Sequence, residues 1–374
     1  MAKEKESKGL NKAQALMDRI LKSSTIKETS RLEDSEILKD QPPIKTNYPM
    51  MNIALSGKVL EGGISPGIIQ FCGESRTFKT SFMLLLVSEY LRSKPNAVFI
   101  FLDNEFGTRE SYFDMFNIPK DRVIHIPFQS IESLKFELVK QLDELSEDDE
   151  VIIGVDSLGL SSSIKELNDS QEQKSVQDLS RPKALKSLFR IITPKIALKK
   201  VPAIFINHFY FSIGGYIATE VLGGGQGSLL ASNSVFITKK QKLKDGENHI
   251  GYKFLLKVFK SRSIKDNVVI PFTIKWNGTV AKYSGLDVIA STFGIIEKVK
   301  DARRNAYQYE SLSGNILKVL EKDVDDAEEF WETIFKETDF VYRLENLYRL
   351  GIKSTDKLDL EEDDSTTAQL LEEE

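Results

Sequence analysis

The chain has little sulfur and little histidine. One cysteine, Cys72, stands in 374 residues. No disulfide can form within the chain, and no cysteine-built zinc site is available. His125, His208 and His249 are too few and too scattered to replace one. A reducing, cytoplasmic compartment is the expectation. Long apolar runs are also missing. Stretches such as Phe82–Val87 fall far short of the roughly 20 residues that cross a bilayer, so no membrane partner is expected. Met1–Gly9 is rich in lysine and glutamate without an apolar core, and does not read as a secretory signal.

What is present has the balance of a soluble globular protein: 41% hydrophobic, 29% charged, mean hydropathy −0.26. At roughly 150 residues per domain, the length allows two or three and needs no covalent staples. The net charge of −5 hides an asymmetry: residues 301–374 sum to −12 and residues 1–300 to +7. Residues 361–374 hold seven acids and no base. A basic body with an acidic tail suits a polyanion-binding surface and a competing tail; a merely solubilising tail has the same composition.

Residues 1–48 read as a separate element. Leu10, Ala13, Met17, Ile20 and Leu21 recur at helical spacing, and a polar stretch follows to Gln41-Pro42-Pro43. Such a helix cannot bury its stripe alone. Residues 49–289 alternate strands with helices. The strands are expected at Ile68–Gly73, Ala97–Asp103, Val123–Pro127, Val151–Asp156 and Ala203–Asn207, and the helices at Thr80–Arg92, Ser130–Leu145 and Pro182–Thr193. Near-continuous apolar strands predict an α/β fold, a doubly wound, mostly parallel sheet. Val235–Lys239, Lys253–Phe259 and Val268–Trp276 predict an antiparallel extension. Residues 290–360 read as a small helical C-terminal region with helices at Glu328–Phe335 and Val341–Leu350, followed by the tail, 361–374.

The strongest motif is Gly73-Glu74-Ser75-Arg76-Thr77-Phe78-Lys79-Thr80-Ser81, between an apolar strand and an apolar helix. That is the setting of a phosphate-binding loop. Backbone N–H groups and a helix N-terminus face the phosphates, Lys79 supplies a point charge, and Thr80 suits Mg²⁺. Glycine is usual before the lysine; Phe78 fits only if its φ is negative or its strain is offset. Asp156 ends a strand, which puts a carboxylate at the same sheet edge to hold the metal through water. A second buried strand ends in Asp103-Asn104-Glu105, and either acid could polarise a water there.

Together with Pro49–Gly57, Phe101–Gly107, Val155–Gly159, Lys186–Thr193, Ile206–His208, Gly223–Gly227 and Lys260–Arg262, these stretches resemble the RecA-type strand-exchange recombinases, in particular the UvsX branch of tailed bacteriophages. In that branch the loop is glycine-poor. The resemblance runs from roughly Pro49 to Leu286 and implies a RecA-like P-loop ATPase core using ATP and Mg²⁺ in the host cytoplasm. It implies Glu105 as general base, Tyr112 stacked on adenine, and His208 as a switch sensing the γ-phosphate. Lys260 and Arg262 would reach a neighbour's ATP across a filament interface.

Two long segments, Leu158–Leu179 and Phe209–Leu230, match the loops lining the filament axis. Loops of such length in a compact domain are commonly functional. Phe209, Gly224 and Gly225 lie there. Lys165, Lys174, Arg181, Lys183, Lys186 and Arg190 could supply phosphate contacts, Arg181 foremost. The partners implied are single- and double-stranded DNA, further copies of the chain packed through the N-terminal arm, and single-strand-binding and mediator proteins at the tail. A ring-forming helicase shares such an ATP site, and a non-motor mediator could use nucleotide only as a switch. The paired loops and the Lys260/Arg262 stretch favour the recombinase.

Overall fold

The computed structural model describes residues 2–350, apart from 40, 147, 173–179, 212–219, 224–225, 246–247, 276–279 and 303. It divides into two compact units, Met1–Gln41 and Pro42–Glu374. In the first, α1 (Ala2–Ser23) carries exposed Leu16, Met17 and Ile20, and Arg31 pairs with Asp18 at 2.6 Å. Residues 42–48 belong with the second unit. Ile44 bridges Ile64, Thr46 bonds Asn52, and the Asn47 N–H donates to the buried Glu89 carboxylate at 2.6 Å.

The second unit begins with α2 (Pro49–Ser56), β1 (Gly67–Gly73), α3 (Lys79–Ser93), β2 (Val98–Asp103), α4 (Glu110–Met115), β3 (Val123–Pro127), α5 (Ile131–Glu144) and β4 (Val151–Asp156). Then come α6 (Ile164–Gln171), α7 (Ser180–Leu198), β5 (Pro202–Asn207), β6 (Phe209–Phe211), β7 (Glu220–Leu222) and α8 (Gln226–Ala231). The long strands β8 (Ser234–Asp245), β9 (Asn248–Ser261) and β10 (Val269–Lys275) follow. Last are α9 (Leu286–Thr292), β11 (Glu297–Asp301), β12 (Arg304–Glu310), β13 (Ile316–Leu320), α10 (Glu328–Glu337) and α11 (Phe340–Tyr348).

Eight strands form one sheet in the order β10-β9-β8-β1-β5-β4-β2-β3. The six from β8 to β3 are parallel; β9 and β10 extend it antiparallel. The expected extension is therefore present, except that β8 itself runs parallel to β1. Alternation along β1 sends Ile68 into one core and Ile69 and Phe71 into the other. α5 buries Ile131, Leu134, Leu138 and Leu142, one helical stripe. α3 is buried almost all round and packs on β1, β5, β4 and β2 within the larger core. That region joins the same core through Trp331, Phe340 and Tyr348. Beyond the two helices the sequence predicts, it holds the three-stranded sheet β11-β12-β13.

Two expectations change. The helix predicted at Pro182–Thr193 runs from Ser180 through Pro194 to Leu198. Proline inside a helix costs about 3 kcal/mol. Here burial of Ile192 and Ile196 on both sides of it holds the helix, and the Thr193 hydroxyl bonds the Phe189 carbonyl at 2.6 Å. The segment 158–179 is not structureless. Ser163 and Glu166 form a capping box that starts α6, a signal legible in Ser163-Ile-Lys-Glu166. Among the described residues no helix is long and apolar enough to cross a membrane.

Candidate functional site

Strands β1, β5, β4 and β2 are parallel neighbours, so their carboxyl ends open on one edge. Gly73, Asn207, Asp156 and Asp103 stand there, where open α/β sheets bind ligands. From Gly73 the chain turns through exposed Glu74, Ser75 and Arg76 into α3. Thr77, Lys79 and Ser81 are buried. The Lys79 ammonium donates to the Glu74 carbonyl at 2.6 Å, as does the Thr77 hydroxyl at 2.8 Å. Thr77 also bonds Thr238 of β8 at 2.7 Å. Gly73 leaves room for this: a Cβ would stand 2.3 Å from Thr238 Oγ1. Thr238 carries no signal in the sequence, because only strand pairing brings it under the loop.

Phe78 has φ +71°, the left-handed region, which costs a residue with a Cβ about 1–2 kcal/mol. The offset is its ring, 4.8 Å from Phe254 and 5.2 Å edge-on to Phe82. Phe78→Gly relieves the backbone and loses the ring; Phe78→Ala loses the ring and keeps the strain. We expect stability to fall in the order wild type, Gly, Ala, with the Gly variant about 1–2 kcal/mol below wild type in chemical denaturation. An Ala variant as stable as the Gly one would show that the positive φ carries no strain, and an Ala variant as stable as wild type would show that the ring offsets none.

Burial pushes the Asp156 carboxyl up to about 7. Its Oδ2 accepts from the Thr80 hydroxyl at 2.7 Å, and its Oδ1 is buried with no hydrogen-bond partner. A hydroxyl beside an orphaned carboxylate oxygen fits one side of a magnesium site. Among the described residues no cluster of three acidic, His or Cys side chains could hold a metal alone. Mg²⁺ commonly takes one or two protein oxygens plus phosphate and water, so the donor set fits. Without metal, the raised carboxyl means that the folded chain keeps a proton between about pH 4 and 7 that the unfolded chain has lost, so this group's contribution to stability falls as pH rises through that window. Asp156→Asn in the metal- and nucleotide-free protein should therefore melt higher than wild type at pH 8, by several degrees, and much closer to it at pH 5. An equal gap at both values would remove the carboxyl as cause.

Asp103 and Glu105 separate clearly. Asp103 is buried; its Oδ1 accepts the N–H groups of Glu105 and Phe106 at 2.9 and 3.0 Å, and its Oδ2 lies 3.3 Å from His125 Nε2. It shapes the turn. Glu105 stands free of the strand, with its Oε1 bonded by the Ser157 hydroxyl and 3.5 Å from His208 Nε2. His208, then Ser157, hold its carboxyl below the usual carboxylate range, against burial. A carboxylate ionised at neutral pH suits orienting and polarising water more than taking its proton outright. Lys79, Thr80, Glu105, Asp156 and His208 thus share one pocket edge, and Lys79 is pulled down by burial while Glu105 and Asp156 pull it up.

No protein-family profile matches the chain. It is 37% identical over 354 residues to the recombination and repair protein of Enterobacteria phage T4, covering 93% of this chain and 90% of that one. It is 25% identical over 272 residues to protein RecA of Syntrophus aciditrophicus (strain SB), 72% and 76% of the two chains. The chain belongs to the RecA-type recombinases.

The remaining expected residues of this recombinase do not all stand at that edge: Lys260 lies level with Gln70, in the middle of β1. Tyr112, on α4, is 39% exposed. Lys260, on β9, is turned inward: its ammonium donates to the carbonyls of Leu229, Leu230 and Ser232 at 2.7, 3.2 and 2.8 Å. Burial lowers its pKa. Arg262 is exposed. Lys183, Lys186 and Arg190 form an exposed stripe on α7, opposite Leu185, Leu188 and Phe189. Arg181 is half-buried and bonds three backbone carbonyls. Phe209 is buried against Cys72, Val235 and Ile237, so its ring is not presented to a base. Lys174, Gly224 and Gly225 lie outside the described residues.

A buried amide pair was not singled out from the sequence. The Gln70 side chain donates to the Ser228 carbonyl at 3.0 Å and to Ser232 Oγ at 2.7 Å; Asn207 donates to Gln70 Oε1 and to the Gly223 carbonyl at 3.2 and 2.6 Å. It ties β1 and β5 to both ends of the glycine-rich segment. A polar residue inside an apolar strand, as in Ile-Ile-Gln70-Phe, is its one sequence signal.

Proposed function

We propose that this recombinase hydrolyses ATP in response to DNA, assembles as a helical filament on single-stranded DNA, and pairs and exchanges that strand with a homologous duplex. The observation that carries this reading is the convergence of Lys79, Thr80, Glu105, Asp156 and His208 at one sheet edge of a chain of this family. The backbone of residues 73–81 and the start of α3 cradle the phosphates, and Lys79 faces the β- and γ-phosphates. Thr80 and, through water, Asp156 would hold Mg²⁺, which would supply charge neutralisation for those phosphates. Glu105 orients the attacking water, His208 reads the γ-phosphate, and Tyr112 supports the base.

The remaining parts follow the same reading. The N-terminal part of residues 1–48, up to Gln41, forms a polymerisation arm that lays the exposed stripe of α1 on a neighbour. Residues 49–289 are the ATPase and DNA-binding core, and 290–360 a small C-terminal domain. DNA phosphates meet Lys183 and its neighbours on α7, Lys174, and the glycine-rich segment at Gly224 and Gly225. The acidic tail, 361–374, competes for DNA and meets single-strand-binding or mediator proteins. Lys260 and Arg262 complete the neighbour's site, for which Lys260 exchanges three carbonyls at the end of α8 for phosphate oxygens.

The test is ATP hydrolysis with single-stranded DNA, with duplex DNA and without DNA, across protein concentration. Strong stimulation by single strands, rising cooperatively with protein, is expected; hydrolysis indifferent to DNA would leave the family intact and remove the DNA-stimulated ATPase. Lys260→Ala probes the shared site. Alone it should lose about 10²-fold or more in kcat, yet mixed with wild type it should contribute turnover where a wild-type neighbour completes its site. Strictly additive activity in the mixtures would refute action in trans.

A further inference from the structure

Arg181 opens α7 and was expected to meet DNA. Its guanidinium is instead spent on the protein. Nη2 donates to the carbonyls of Leu158 and Gly159, both at 3.0 Å, and Nε to that of Ser161 at 2.9 Å. These carbonyls belong to the turn that follows Asp156 at the end of β4. A planar fork satisfying three convergent carbonyls fixes the shape of that turn.

Two routes lead from the turn to the pocket. The first is a hydrogen-bonded path. Ser161 Oγ donates to the Ser157 carbonyl at 2.8 Å and accepts from Asn104 Nδ2 at 2.9 Å. Asn104 Oδ1 accepts the Ser157 N–H at 2.7 Å, and the Ser157 hydroxyl holds Glu105. The second is steric. Gly159 lies under the His208 ring so closely that a Cβ there would stand 2.1 Å from His208 Cδ2. Moving the turn moves the floor beneath His208.

We propose that Arg181 is a positioning residue for hydrolysis: it clamps the 158–161 turn so that Ser157 and Asn104 aim Glu105 at its water and Gly159 seats His208. This rests on the ATPase reading above. Arg181→Lys keeps a cation for any phosphate but cannot fork to three carbonyls. Misaiming a catalytic group by a fraction of an ångström is costly, so kcat at saturating single-stranded DNA should fall about 10-fold. The KM for ATP, the affinity for a labelled oligothymidylate and the salt dependence of that affinity should stay within about 2-fold, which a loosened fold would not respect.

Ser157→Ala should lower kcat similarly, and the double variant should be no worse than the poorer single one. If kcat is unchanged in Arg181→Lys while DNA binding weakens and its salt slope falls, Arg181 is a phosphate contact and the clamp is wrong. Additive losses in the double variant would overturn the path through Ser157. Should Arg181→Lys fail to fold, Asn104→Ala cuts the same path without touching the arginine, and full kcat there would equally overturn it. A wild-type chain that hydrolyses no ATP on DNA would bring down the ATPase reading itself and the clamp with it. Wild-type stimulation with a fully active Arg181→Lys brings down the clamp alone.

Discussion

Lys79→Ala should lose about 10³-fold in kcat/KM for ATP hydrolysis, about 4 kcal/mol, with most of the loss in nucleotide binding. The lysine is only 7% exposed, and its ammonium donates to the backbone carbonyl of Glu74. Burial draws its pKa down. A desolvated cation whose direct acceptor is a neutral carbonyl, with the Glu105 and Asp156 carboxylates acting on it without a direct contact, becomes better compensated when phosphate arrives. Two results should therefore move in opposite directions. ATP titration calorimetry should lose its binding heat, while the melting temperature without nucleotide should stay level or rise. Unchanged hydrolysis would sink the phosphate-loop assignment. Lost hydrolysis with a collapsed melting temperature would mean that the lysine holds the loop rather than the ligand.

Glu105→Gln should give the second-largest effect, and a different one. The amide keeps an acceptor for the Ser157 hydroxyl and nearly the same volume, so ATP and DNA binding should survive within about 3-fold. The charge that orients water is gone, so kcat should fall about 10²–10³-fold. Because His208 and Ser157 hold the wild-type carboxyl below its usual range, kcat should show no titration of this group near neutrality. The variant, locked with ATP, should stay on single-stranded DNA through washes that release wild type. Fast turnover in Glu105→Gln would hand the water to another group. Asp103 is poorly placed for that, since its Oδ1 accepts two backbone N–H groups and its Oδ2 faces His125.

Much of the core was legible because its signals are local. Apolar strands ending in acids, a lysine-threonine pair at a helix start and the order of these along the chain predict the sheet and its edge. The strand bounds Val123–Pro127 and Val151–Asp156 coincide with those observed. Where local rules mislead, a long-range contact has outweighed them. Pro194 should stop a helix, yet Ile196 is buried beyond it. Phe78 should not sit at positive φ, yet Phe254, from a strand 176 residues on, receives its ring. The β11-β12-β13 sheet is not legible in the sequence because β11 and β12 are mostly polar and β13 is only five residues long.

From sequence alone came the class of the chain: an α/β protein with a phosphate loop, two carboxylate-ended strands and the stretches that resemble the recombinases. Those are matters of composition, period and spacing, each written within one stretch of chain. The tertiary structure decided which acid is free and which shapes a turn. It also decided that Lys260 caps α8, that Thr238 stands under the loop, and that Arg181 grips a turn rather than projecting into solvent. These depend on strand order and on the meeting of residues distant in the chain, which hydrogen-bond geometry and burial settle only once the sheet has closed.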